Sequence, residues 1–182
     1  MKVKLINDPI TSDYGRNLLR ARGVEDVDRF LNPDESCLQD WCDLDNINYG
    51  VEAIRTVHNN GEIAIVVDCD VDGYTSATII GQYLQRLYPN LKIDYYLHEG
   101  KAHGLEEHWR KISEKNYELI ILPDAGSNDK EYAEKIGSRI LVIDHHITDI
   151  EPAKNMCVIN NQTSPNYRNK NLSGAGMAYQ FC

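Results

Sequence analysis

Apolar residues follow helical spacing over the first sixty positions and then give way to short solid runs separated by mixed stretches. Leu18, Leu19, Val24, Val27, Phe30 and Leu31 are spaced as in short amphipathic helices. Asn32-Pro33-Asp34 stops them, since proline has no amide proton to continue a helix and disfavours helical backbone in the residue before it. Ile47, Val51, Ile54 and Val57 recur on one face and predict a helix from Asn46 to His58, ended by Asn59-Asn60-Gly61. Residues 1–60 therefore read as a polar, mainly helical N-terminal extension.

From residue 61 onward the pattern alternates. Ile63-Ala64-Ile65-Val66-Val67 is a continuous apolar run, as expected of a strand buried on both faces. A helix is predicted from about Thr75 to Tyr88, stopped by Pro89-Asn90, then a strand over 91–97 and a helix over 105–115. Leu119 to Leu122 gives a third strand, Asn128 to Ile136 a helix, Ile140 to Ile143 a fourth strand and Met156 to Ile159 a fifth. Successive strand-helix-strand units predict an α/β fold over 61–182: a doubly wound, mostly parallel sheet with right-handed crossovers. No repeat or low-complexity segment interrupts it.

Composition changes this picture little. At 182 residues the chain suits one domain plus a small extension, and 42% hydrophobic with 26% charged residues is an ordinary globular balance. No stretch approaches the ~18 apolar residues of a membrane helix, and the opening MKVKLINDPITSDYGRN lacks the apolar core of a signal peptide. The expected location is the cytoplasm, with no membrane partner. Cys37, Cys42, Cys69, Cys157 and Cys182 form no CxxC pair and no zinc-ribbon spacing, and read as free thiols. A formal net charge of −9 argues against broad attraction for nucleic acid, yet suits a chain that concentrates carboxylates to hold divalent metal.

In doubly wound sheets, ligands bind beyond the carboxyl ends of the strands. The first run is followed by Asp68, Asp70 and Asp72 in the string Asp-Cys-Asp-Val-Asp-Gly-Tyr-Thr-Ser. The third is followed by Asp124-Ala125-Gly126-Ser127, and the fourth by Asp144-His145-His146. Three strands thus deliver carboxylates or imidazoles to one sheet edge. That many acids repel one another unless protons or cations neutralise them. Carboxylates and imidazole without thiolate suit manganese or magnesium better than structural zinc. A pair of such ions is a machine for phosphate-ester hydrolysis.

Blander explanations compete at each position. Asp-x-Asp-x-Asp-Gly resembles a calcium loop, but Ile79 stands where an EF-hand needs Glu, and a strand precedes. Asp68 reads as the most structural of the three acids, a cap for the following turn. Asp124 could cap the third helix. His58, His98 and His108 carry no comparable signal.

Asp144-His145-His146 is the signature that names the DHH superfamily of phosphoesterases, and the chain resembles its RecJ branch of single-strand-specific DNA exonucleases. The resemblance includes the strand leading into Asp68 to Ser76, Leu18-Leu19-Arg20-Ala21-Arg22-Gly23, Phe30-Leu31-Asn32-Pro33 and Asn171-Leu172-Ser173-Gly174-Ala175-Gly176-Met177-Ala178-Tyr179. Phage-encoded members are similar in Asp-Ala-Gly-Ser-Asn-Asp and Ile-Asn-Asn-Gln. The resemblance implies two manganese or magnesium ions held by Asp68, Asp70, Asp72, Asp124 and His145, with Asp124 bridging. It implies that His146 faces the phosphate while Asp144 orients a histidine. It further implies phosphate or substrate contacts from Ser76, Ser127, Lys101, His103, Gly174 and Gly176.

The implied substrate is single-stranded DNA, digested from its 5′ end, and the implied partner a helicase or single-strand-binding protein. Where RecJ relatives carry an Arg and a Gly-Tyr-Gly, this chain has Gly100-Lys101-Ala102-His103-Gly104. A last metal-binding Asp and further domains are expected beyond Cys182, so the chain is either the truncated metal-binding part of a longer protein or a short form. Other readings are a DHH hydrolase of short oligonucleotides, cyclic dinucleotides or pyrophosphate, and a non-catalytic RecJ-like scaffold. A haloacid-dehalogenase-like reading of Asp70-Val71-Asp72-Gly73 leaves Asp-His-His without a use.

Overall fold

The solid apolar runs become β1 (Glu62–Val67), β2 (Lys92–Leu97), β3 (Leu119–Pro123), β4 (Ile140–Asp144) and β5 (Met156–Asn160). In the computed structural model, which describes residues 13–182, they form one five-stranded sheet in the order β2-β1-β3-β4-β5 with every neighbouring pair parallel. The reading of the first twelve residues lies outside the described residues. The helices are α1 (Tyr14–Ala21), α2 (Val27–Leu31), α3 (Ile47–Arg55), α4 (Val71–Leu87), α5 (Trp109–Ser113), α6 (Lys130–Ala133) and α7 (Gly174–Phe181). No helix among the described residues is long and apolar enough to cross a membrane.

Side chains alternate across a strand, so a sheet with two dry faces needs apolar residues at every position. Ile63, Ile65, Val67, Leu119, Ile121, Leu141 and Ile143 pack on one face beneath α3, α4 and α7. Ala64, Val66, Ile120, Leu122, Ile140 and Val142 pack on the other with Leu105, Ile112 of α5, Tyr117 and Ala133 of α6. Each large apolar side chain buried this way contributes about 1.5–3 kcal/mol. Two covered faces are what doubly wound means.

The helices differ from the sequence expectation in length. α4 begins at Val71, not Thr75, because Asp70 accepts hydrogen bonds from the amides of Asp72 and Gly73 and so caps it earlier. α5 is confined to 109–113, since Gly104 adopts a φ of 59° and the Leu105 amide is taken by Asp129 rather than by a helix turn. α6 stops at Ala133, after which Lys135 and Ile136 bond three residues back in tighter turns.

Among the described residues, those up to Gln39 form one compact unit and Asp40–Cys182 a second. In the first, Asp13 caps α1 and Asp26 caps α2. α1 ends where Gly23 turns at a φ of 85° and the Val24 amide reaches back to the Leu19 carbonyl. α3 falls in the second unit, because Ile47 and Ile54 belong to its core.

Candidate metal centre

With strand order 2-1-3-4-5, a crevice opens where the crossovers leaving β1 and β3 turn to opposite faces. Asp68 follows β1 directly and Asp124 follows β3, so both stand at that switch point. Asp144 ends β4 beside them, and Asn160 pairs with it at the end of β5. Parallel strands ending at one level thus gather residues that are distant in sequence.

The Asp-x-Asp-x-Asp-Gly string is a strand end turning into a helix. Asp68 is buried, and its Oδ1 lies 2.8 Å from His103 Nδ1. Asp70, not Asp68, is the cap, through Oδ1 alone. Gly73 has to be glycine, since a Cβ there would lie 2.5 Å from Asp68 Cβ and 2.7 Å from its carbonyl oxygen. Asp72 turns across the crevice and accepts from the amides of Gly174 and Ala175 at 2.7 and 2.8 Å, at the start of α7. The positive end of that helix suits a carboxylate.

Asp124 is 1% exposed and adopts a φ of 74°, in the left-handed region that non-glycine residues rarely occupy. His145 Nε2 lies 3.1 Å from its Oδ1, yet that buried oxygen has no hydrogen-bond partner. Burial, then the charges of Asp72, Asp70 and Asp68, push Asp124 up to about 8, against a smaller pull from His146. Ligand atoms of Asp68, Asp70 and Asp124 lie within 4.8 Å of one another, as do those of Asp124, His145 and His146. Asp124 belongs to both groups and keeps an orphaned buried oxygen, an arrangement that fits a divalent cation. Oxygen and imidazole donors fit manganese or magnesium. The Cys69 thiol, grouped with Asp68 and His103, is pushed up by desolvation and by Asp68 and Asp70.

A buried network stands behind this front. Asp144 Oδ1 accepts from His146 Nδ1 at 2.8 Å and from the amides of His145 and His146, while Oδ2 accepts from the Ser127 amide. Burial opposes the Asp144 charge, yet these bonds outweigh it and hold the carboxyl down at about 2. The same bond to Asp144 holds His146 up at about 9. Asn160 donates to Ser127 Oγ and to the His146 carbonyl, both at 2.9 Å. Sequence reasoning passed over Asn160, although it follows an apolar run just as Asp68 and Asp144 do.

Four residues expected to touch phosphate have their donors engaged. Ser76 Oγ donates to the Asp72 carbonyl, and the Ser127 amide to Asp144. The Gly174 amide goes to Asp72 and that of Gly176 to Ser173 Oγ. Lys101 is exposed, on the loop that brings His103 to Asp68. Gly174 also admits Asp124: a Cβ would lie 2.0 Å from Asp124 Oδ1. Gly174→Ala is therefore expected to cost about 1–3 kcal/mol by overpacking and to blunt the response to manganese. Thermal unfolding with and without the ion would measure both.

The model of the DHH family N-terminal domain matches residues 62–182. The chain belongs to the DHH family. Over its whole length it is 40% identical to the SPbeta prophage protein YorK of Bacillus subtilis (strain 168), named as a single-strand DNA-specific exonuclease, of which it covers 32%. Over 91% of its length it is 26% identical to the single-stranded-DNA-specific exonuclease RecJ of the same organism, covering 22% of that protein. The chain thus spans about a third or less of the curated relatives it matches. Among solved structures, RecJ from Thermus thermophilus in complex with Mn2+ superposes with a TM-score of 0.67 at 20% identity, over 90% of this chain and 23% of that one. The DHH domain therefore has the RecJ fold, and its name-giving Asp144-His145-His146 forms the β4 side of the crevice.

Proposed function

We propose that this DHH chain is the metal-binding part of a RecJ-type exonuclease, which hydrolyses single-stranded DNA from its 5′ end with two divalent ions, manganese or magnesium. The observation that carries the proposal is the buried Asp124 oxygen, unpartnered at the switch point where Asp68, Asp70 and His145 converge. Asp124 would be shared between the ions, with Asp68, Asp70 and His145 as further ligands and Asp72 within reach. Bound ions would supply Lewis acidity toward the scissile phosphodiester.

The chain's own residues divide the remaining tasks. His146, locked by Asp144 and half exposed at its side chain, presents a positive charge to a phosphate at neutral pH. The pair of Asp68 and His103 ties the Lys101 loop to the crevice. Beside Asp70 lies a shallow cavity of about 560 Å³ lined by Val71, Tyr74, Thr78 and Ile79. Val71 is 82% and Tyr74 48% exposed, an apolar shelf on which a nucleobase can stack. That shelf favours an oligonucleotide over pyrophosphate. Tyr74→Ala is expected to weaken single-strand binding by about 1–3 kcal/mol without changing manganese uptake, as fluorescence anisotropy and calorimetry would show.

The test is digestion of 5′-labelled single-stranded and duplex DNA in manganese buffer. Slow, single-strand-selective release from the 5′ end is expected, since a net charge of −9 attracts the backbone poorly. The release should vanish in Asp124→Asn. Digestion of both substrates alike, or undiminished digestion by that variant, would reject the proposal.

A further inference from the structure

After β2 the chain makes a loop over residues 98–108 before entering α5, and the two ends of that loop meet. The His98 side chain is fully buried, with Nδ1 3.0 Å from Glu107 Oε2. His108 is 6% exposed. In both rings Nε2 is buried without a hydrogen-bond partner. Nδ1 of His98 and Oε2 of Glu107 stand as close as neighbouring ligand atoms on one tetrahedral ion. The two rings pack with centroids 4.7 Å apart, and a ligand atom from each of His98, Glu107 and His108 lies within 4.8 Å of the others. The Glu107 side chain is one-third exposed and gives an ion a way in from solvent.

We propose that His98, Glu107 and His108 form a second cation site, distinct from the strand-end centre, that takes a zinc-type ion. Two imidazoles and one carboxylate are the donors preferred by zinc, cobalt or nickel, whereas the carboxylate-rich crevice suits manganese or magnesium. The ion would clasp the two ends of the loop whose middle carries Lys101 and His103. Because His103 reaches from that loop to Asp68, the clasp would hold the loop over the crevice. Nothing in this depends on the exonuclease reading.

The experiment uses the whole chain carrying Asp124→Asn and His145→Ala, so that the strand-end centre cannot supply the signal. Cobalt(II) is the probe and zinc the competitor. One equivalent of cobalt should give the visible absorption of a low-coordinate nitrogen and oxygen site, and one equivalent of zinc should displace it. Glu107→Gln should weaken cobalt binding about tenfold or more, and His108→Gln should abolish the band. No band in the double variant, or a band that survives both His108→Gln and His98→Gln, would overturn the proposal. Should His108→Gln lose its native circular dichroism, Glu107→Gln decides, and unchanged cobalt affinity there would overturn it. A band seen in the wild type but absent from the double variant would assign cobalt to the crevice and also overturn it.

Discussion

Asp124→Asn is expected to make the metal-free protein more stable and to abolish its response to manganese. Burial and the three neighbouring acids push this carboxyl up to about 8 from an ordinary value of 3.8. Between those values the folded chain holds a proton that the unfolded chain has released. The stability tied to Asp124 is therefore fully present below pH 3.8 and is lost as pH rises toward 8. The wild type should lose stability across that window, and the asparagine variant should lose far less. A shift of this size, discounted for relaxation around the site, corresponds to about 2–4 kcal/mol at about pH 8, or a Tm roughly 5–10 °C higher. Manganese should reverse the ranking, raising the wild-type Tm and leaving the variant where it was. Thermal unfolding at about pH 5 and about pH 8, either side of most of that window, with and without the ion, measures every part of this. A destabilised, manganese-responsive variant would mean that Asp124 is a structural carboxylate.

His146→Ala is expected to keep its metal and lose about 10²–10³-fold in turnover, the usual cost of removing one preorganised group from a developing charge. Its ring is tied to Asp144 rather than to Asp124, so removing it leaves the proposed ligands in place. The pair also sets a pH window for the metal-free chain. His146, raised to about 9, contributes stability that is complete below 6.5 and lost as pH rises through 9. Asp144, lowered to about 2, contributes stability that is present above 3.8 and lost as pH falls through 2. The variant should therefore be less stable than the wild type at neutral pH, with the gap closing above about pH 9. Calorimetric manganese uptake alongside single-turnover digestion separates ligation from charge stabilisation. Lost metal in His146→Ala would exchange the roles proposed for the two histidines.

Much of the fold is legible because solid apolar runs admit few other structures. Ile63 to Val67, Leu119 to Leu122 and Ile140 to Ile143 each became a strand dry on both faces. Their shared direction then brought Asp68, Asp124 and Asp144 to one edge, as the order of apolar runs and acids implies. What the sequence concealed depends on contacts between distant segments. Nothing local tells that Asp72 is met by the amides of Gly174 and Ala175, about a hundred residues away, or that Asp70 rather than Asp68 caps α4. Asn160 was hidden by its neutral side chain, which bonds Ser127 and the His146 carbonyl instead of carrying charge. His98 and His108 looked idle because the loop between them, not a helical spacing, brings their rings together. The short α5 reflects side-chain and glycine control of the backbone, which apolar periodicity does not report.

The central claim, that the strand ends form a divalent metal centre around Asp124, is tested most directly by anomalous diffraction from crystals grown with manganese. Peaks are expected within bonding distance of Asp124 and His145, with Asp68 and Asp70 among the other ligands. Manganese bound elsewhere, with Asp124 left unliganded against His145, would contradict it.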